Sequence, residues 1–299
     1  MFRERTGKDL SGNTIAKEQI VQTPISLLFA GDAMFDRHIR LYSQKQGYGF
    51  FLSHLQDLFA SVDHVIINLE GPVTNNTSVS LGSAVGSTKN FIFTFDPQIL
   101  PFLKQWNMSI VNLGNNHIMN FGEDGLKQTY ANLENNQIRS FGDTGSSLPN
   151  EKRFAVINIH DKNIAFVNFN QFVSHAEEHV FEDMEKAKKE ADVIIVYAHW
   201  GAEYVSQADT AIQQLAHRFI DAGADVVIGS HPHVTQQKEE YRGKIIYYSL
   251  GNFVFDQYFS KETMQGLLVK VTIAPSKELS FEEIPIKMET NGQTVPEVK

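Results

Sequence analysis

The 299-residue chain contains no cysteine. Disulfides, thiolate nucleophiles and Cys-ligated zinc are therefore excluded, and any bound cation must take His, Asp, Glu or Asn ligands. Positive charge is also scarce: 26 Lys and Arg against 35 Asp and Glu leave a formal net charge of −9. A general nucleic-acid binder needs a basic face to neutralise phosphates, so that class is set aside, as is docking to anionic lipid. An anionic substrate stays open if a cation or local Arg and Lys supplies positive potential. Long apolar runs are missing as well. No segment reads as a signal peptide or a membrane span. Residues 1–23 read as a polar lead-in, compatible with a cytoplasmic chain or with an anchor lying outside this sequence.

Apolar residues make up 42% of the chain, with 22 Phe among them, enough to bury a substantial core. With no repeat or mid-chain linker, one domain over residues 24–290 is expected, followed by a tail from 291 to 299. Apolar spacing predicts helices over Phe51–Phe59, Pro97–Trp106, Gly122–Asn136, Phe181–Ala191 and Ala208–Ala222. Phe154–Ile159 and Ile164–Phe169 read as a hairpin, and Ile245–Tyr248 and Leu267–Ile273 as strands. The Asn-, Ser- and Gly-rich stretch Thr74–Asn90 reads as a long loop shaping substrate access. Strands alternate with helices early and accumulate in pairs later, which suggests stacked sheets with helices outside.

Five apolar strands each end in residues able to bind a ligand. Ser26–Ala30 leads to Gly31-Asp32, Val65–Ile67 to Asn68-Leu69-Glu70, and Ile110-Val111 to Asn115-Asn116-His117. Val193–Tyr197 leads to His199-Trp200-Gly201, and Asp225–Ile228 to Gly229-Ser230-His231-Pro232-His233. The carboxyl ends of strands are where α/β proteins bind ligands. In an extended segment residues at i and i+2 share a side, so His231 and His233 can converge on one ion.

Each residue also has a plain structural reading. Asp32 can serve a turn or a helix N-cap, and Glu70 can reach solvent from a strand end. Asn115, Asn116 and His117 can cap the helix near Gly122, and His199 can be a hydrogen-bonded core residue. Against these stand chemical roles. Glu70 can bridge two cations, Asn116 can add a neutral oxygen ligand, and His117 can act as a general acid because imidazole titrates near neutrality. Glu203 can orient His199 from behind, Asn252 can line the same cleft, and Arg37 can clamp an anion where a surface salt bridge is the plainer alternative.

The ordered set Gly31-Asp32-Ala33-Met34, Asn68-Leu69-Glu70, Asn115-Asn116-His117, His199–Tyr204, Gly229–His233 and Ser249–Phe253 resembles the CapA family of capsular poly-γ-glutamate synthesis. The resemblance spans roughly residues 25 to 256. That domain is similar to calcineurin-like metallophosphoesterases, which implies an α/β four-layer αββα sandwich, two mixed β-sheets flanked by helices. It further implies one cation on Asp32, Glu70 and His233 and a second on Glu70, Asn116, His199 and His231, with His117 as general acid. Asn68, Asn115, Glu203 and Asn252 would line the site or support its ligands from behind. Met34 stands where the wider superfamily carries a second ligand, and Glu70 replaces a bridging Asp. One or two divalent ions, zinc, manganese or iron, are thus implied.

Three functions follow from the resemblance. The first is a metal-dependent hydrolase or transferase acting on the γ-glutamyl amide bonds of an anionic polymer, poly-γ-glutamate. The second is a non-enzymatic polymer-binding component of the capsule machinery, and the third a phosphoesterase. Other membrane capsule-synthesis proteins are implied as partners, with an extracytoplasmic, membrane-associated location.

Overall fold

The computed structural model describes residues 23–149 and 151–297. The lead-in expected over 1–23 lies, but for Thr23, outside them. Strands and helices follow in the order β1 (Ile25–Ala33), α1 (Arg37–Gln46), α2 (Gln56–Ala60), β2 (His64–Leu69), α3 (Leu100–Gln105), β3 (Ile110–Asn112), α4 (Gly122–Asn135) and β4 (Arg139–Phe141). They continue with β5 (Phe154–Ile159), β6 (Lys162–Asn170), α5 (Ala176–Ala187), β7 (Val193–His199), α6 (Thr210–Asp221) and β8 (Val226–Ser230). The chain then runs through β9 (Lys238–Tyr241), β10 (Lys244–Tyr247), β11 (Asn252–Val254), β12 (Gln265–Ile273), β13 (Leu279–Met288) and β14 (Thr294–Pro296).

Two mixed sheets result. One has the order β14-β13-β12-β1-β2-β3-β4 with β11 also paired to β1, and the other the order β5-β6-β7-β8-β10-β9. Strand alternation decides what lies between them. Leu27 and Phe29 of β1 and Ile66 of β2 meet Ile195 and Tyr197 of β7 in the layer between the sheets. The alternate residues Leu28, Ala30, Val65 and Ile67 pack outward on Ile39, Phe59, Leu103 and Leu126 of the first helix layer. Ile194 and Val196 pack outward on Val180, Met184, Leu215 and Phe219 of α5 and α6. Central strands buried on both faces read as continuous apolar runs, which is why their sequence lacks the polar alternation of a half-exposed strand. The expected αββα sandwich is the observed fold.

Local differences have local causes. α5 begins at Ala176, ahead of the expected Phe181, because Val180, Met184 and Ala187 form the buried stripe. The helix expected over Phe51–Phe59 is a 3₁₀ turn, Ser53–Leu55, followed by α2. The tail expected from residue 291 is instead built into the sheet: β14 pairs antiparallel with β13, and buried Thr294 donates its N–H to Phe51 O at 2.9 Å. Its apolar pattern is too short to announce a strand, and only the neighbouring β13 supplies a ladder.

Candidate metal centre

Asp32 lies within β1, in parallel register with Asn68 of β2 on one side and Asn252 of β11 on the other. Its carboxylate is fully buried and well furnished. Oδ1 accepts from Asn68 Nδ2 at 2.8 Å, and Oδ2 accepts from the His231 N–H at 3.1 Å. Asn68 is itself held by the amides of Asn112 and Asn115, each donating to its Oδ1 at 3.1 Å. Asn115 also accepts from the His117 N–H at 3.1 Å. Of the two roles expected for Asn68 and Asn115, lining the site or supporting it from behind, these hydrogen bonds are those of a support that aims Asp32 and seats the turn carrying His117.

Glu70, just after β2, is the opposite case. It is fully buried, and its Oε1 has no hydrogen-bond partner. His233 Nε2 stands 3.6 Å and His117 Nε2 3.8 Å from that oxygen. Burial, and then the nearby charge of Asp32, hold the Glu70 carboxyl well above its ordinary pKa. Burial also opposes ionisation of Asp32, but the hydrogen bond and charge of His233 outweigh it and keep that carboxyl below its ordinary value. Ligand atoms of Asp32, Glu70 and His233 all lie within 4.8 Å of one another. A buried carboxylate oxygen without a donor costs free energy that a divalent cation would offset, so these residues fit one.

The imidazoles are prepared for ligation. His233 Nδ1 lies 3.0 Å from Asn252 Oδ1 and 3.2 Å from Asp32 Oδ2, two acceptors that keep a proton on Nδ1 and make Nε2 the nitrogen that a cation would take. Asn252, expected to line the cleft or to support a ligand from behind, meets the His233 ring at Nδ1. Buried His199 has Ser230 Oγ 3.0 Å from Nδ1 and Asn116 Oδ1 2.9 Å from Nε2, and its ring centroid is 4.7 Å from that of His231. Burial, then the neighbouring histidine charges, push His199 well below the ordinary imidazole pKa. For the same causes His231 falls to about 4. Neutral rings are the form that binds metal.

Convergence of the last two histidines does not come from strand alternation. β8 ends at Ser230, and His231 and His233 both take positive φ, 96° and 59°, on either side of Pro232. Non-glycine residues adopt this region at a cost, and such strain is characteristic of functional sites. Gly229 makes the turn feasible: a Cβ there would stand 1.9 Å from Tyr248 O.

Three expectations need correction. Glu70 groups with Asp32 and His233, and among the described residues no carboxylate groups with both His199 and His231. Its bridging role therefore does not follow from this geometry. Glu203 does not sit behind His199, whose Nδ1 is met by Ser230 and Asn68; it lies with His231 and His233. Arg37 is not a surface pair, and both its Nη atoms are engaged, which leaves only a buried Nε without a partner. Its guanidinium is paired with buried Asp256, bonded to Asn90 Oδ1 at 3.3 Å, and set between the rings of Phe93 and Phe255. What it contributes is positive charge near Glu70.

His117 also departs from the neutral-pH acid the sequence suggests. Burial, then the charges of His233 and His231, push it down to about 3. The Asn120 amide lies 3.2 Å from Nδ1 and donates to it, so the single proton of the neutral ring sits on Nε2, facing Glu70. Phe93 packs on the ring at 4.4 Å between centroids.

A family model described as bacterial capsule synthesis protein PGA_cap matches residues 26–257. The chain belongs to that family. Over 276 residues it is 30% identical to the PGA biosynthesis protein CapA of Bacillus subtilis (strain 168), covering 88% of this chain and 71% of that one. Over 283 residues it is 27% identical to the capsule biosynthesis protein CapA of Bacillus anthracis, covering 89% and 68%. Among solved structures, a phosphatase from Mycoplasma pneumoniae matches with a TM-score of 0.55 at 18% identity, covering 89% of this chain and 95% of that one. At that identity the likeness concerns the fold.

Several residues of this PGA_cap site carry no sequence signal. Asn112 and Ser230 support Asp32 and His199 from within strands where a buried polar residue looks like any other. Phe172 follows β6 and packs on His231 at 4.6 Å between centroids. Asn120 was findable, since it stands three residues after His117 and i, i+3 neighbours meet in a turn.

Proposed function

We propose that this chain is a metal-dependent hydrolase or transferase acting on γ-glutamyl amide bonds of capsular poly-γ-glutamate. The carrying observation is the buried Asp32–Glu70–His233 cluster with its unpartnered Glu70 oxygen, placed at the carboxyl ends of parallel strands. The polymer class comes from the relatives, a PGA biosynthesis protein and a capsule biosynthesis protein.

Asp32, Glu70 and His233 would hold one divalent cation, and His199, His231 and Asn116 form the neighbouring nitrogen and oxygen set for a second. Zinc, manganese and iron all accept such ligands. A bound cation supplies Lewis-acid polarisation of a carbonyl oxygen and eases deprotonation of water near neutral pH. It also reverses the local potential, which lets a chain of net charge −9 accept a polyanion.

The remaining chemistry belongs to the chain. Asn68, Asn112 and Asn115 hold Asp32 in one orientation, so no reorganisation is needed when charge develops. Asp32 and Asn252 keep the proton on His233 Nδ1. His117, neutral and wedged against Phe93, would donate a hydrogen bond from Nε2 to the departing amine nitrogen, which takes its proton from the attacking water or acceptor amine. Arg37, fixed by Asp256, adds positive potential without moving.

The same reading puts its work at the cell surface beside other capsule-synthesis proteins, supported by the capsule-biosynthesis relatives. Among the described residues no helix is long and apolar enough to cross a membrane.

The test incubates the protein with poly-γ-glutamate, and in parallel with a phosphomonoester, with and without chelator. Chain shortening or transfer that stops on chelation and falls about 10²-fold in His117→Gln, with cation content unchanged, supports the reading. Intact polymer that nevertheless binds the protein overturns it in favour of a polymer-binding component, and turnover of the phosphomonoester alone moves it to phosphoester chemistry.

A further inference from the structure

Asp32, Glu70 and His233 provide three ligands, and any further protein ligand near them must come from outside that group. Met34 follows Asp32 by two residues but cannot serve. It is fully buried in the apolar layer under the first helices, and its Sδ accepts the Asp36 N–H at 3.0 Å. A thioether is in any case a poor partner for a hard cation.

On the solvent side stands Glu203. One of its carboxylate oxygens lies within 4.8 Å of ring nitrogens of both His231 and His233, so His233 belongs to two clusters at once. His231 is 4% exposed and its Nδ1 has no hydrogen-bond partner. The loop that carries Glu203 is tied to the two histidines. The Tyr204 N–H donates to Pro232 O at 2.8 Å, between them in sequence, and the Tyr204 ring stacks on His233 at 6.0 Å and 29°. Tyr204 takes φ of 63°, and its hydroxyl accepts from Gln257 Nε2 at 3.1 Å. The strained Tyr204 backbone thus keeps a carboxylate beside two buried imidazoles, a donor set that fits a divalent cation.

We propose that Glu203 is a divalent-cation ligand acting with His231 and His233 on the solvent side of the buried Asp32–Glu70–His233 group, with which it shares His233. This rests on the metal-centre reading of the same site and extends it beyond the buried residues. Glu203 is thereby the exposed carboxylate of its group, while Asp32 and Glu70 of the adjoining group are buried.

The test uses the full chain as wild type, Glu203→Gln, Glu203→Asp and, as a control on exposed α5, Glu185→Gln. Each is stripped with chelator, dialysed against Mn²⁺ or Co²⁺, and measured for cation per chain, dissociation constant and the visible absorption of bound Co²⁺. Expected are a tenfold or larger rise in dissociation constant and an altered Co²⁺ spectrum for Glu203→Gln, partial recovery in Glu203→Asp, and no change in the control. Because Glu203 is exposed, unchanged circular dichroism should accompany these shifts. Wild-type affinity and spectrum in Glu203→Gln would overturn the assignment of Glu203 while leaving the buried centre intact. A wild-type protein that binds neither ion would overturn both.

Discussion

The backbone N–H of His231 donates to Asp32 Oδ2 at 3.1 Å, joining the end of β8 in one sheet to β1 in the other. Asp32 also accepts from Asn68 and faces His233 Nδ1, so its removal strands several buried donors. Asp32→Ala should therefore cost about 3–5 kcal/mol of stability, the range for breaking a buried charge pair from one side. A shift in denaturant midpoint with unchanged slope would show it, and a loss below about 1 kcal/mol would contradict this account of the seam.

Close approach at Gly229 makes a second prediction. An added Cβ would stand 1.9 Å from Tyr248 O and 2.8 Å from Trp200 Nε1, neither of which is the free end of a flexible side chain. Trp200 is buried and donates from Nε1 to that same carbonyl at 2.9 Å. Gly229→Ala should lose about 1–3 kcal/mol from overpacking and weaken cation binding at His231 and His233 together. Thermal unfolding and cation titration of one preparation would check both effects.

The buried His117 ring gives the pH dependence. Its pKa falls from about 6.5 in the unfolded chain to about 3 in the folded, cation-free protein. The folded pKa is the lower one, so its contribution to stability is fully present above pH 6.5 and is lost as pH falls through that window toward 3. The slope from this one group is at most about 1.4 kcal/mol per pH unit. NMR of the chelated protein should find the ring neutral at pH 5, and a midpoint near 6 would refute the burial argument.

Removing the cation should also be visible in stability. A ligand at 100 times its dissociation constant stabilises the native state by about 2.7 kcal/mol. Chelation should lower the Tm of the wild type, and His233→Gln should lack this chelator-dependent shift because His233 serves both clusters.

The loop Thr74–Asn90 is anchored beside the site. Ser78 and Ser80 each donate to Asp36 Oδ2 at 2.9 Å, and Asn90 meets Arg37. Replacing residues 81–87 by a short Gly-Ser link should raise KM for polymer several-fold and leave cation content unchanged. Unaltered kinetics would remove the loop from substrate access.

Much of this architecture is legible in the chain because its cause is local. Val65–Ile67 and Val193–Tyr197 are apolar at every position, which only strands buried on both faces require, and each is followed by the residue that enters the site. α1 was illegible for the converse reason: of Arg37–Gln46 only Ile39 and Ser43 are buried, too few for an apolar period. β4 and β14 have three residues each and exist because a neighbouring strand offers a ladder.

The sequence by itself determined which residue types reach the strand ends and, by the absence of cysteine, that nitrogen and oxygen must do the ligating. Tertiary structure alone decided that Glu70 is left without a donor, that Glu203 faces His231 and His233 and not His199, and that Arg37 is spent on Asp256. Alternation and apolar runs report the environment of a residue within its own strand. The partner of a side chain in a loop is fixed by how two sheets pack, and by backbone turns such as the positive φ of His231, which no local pattern encodes.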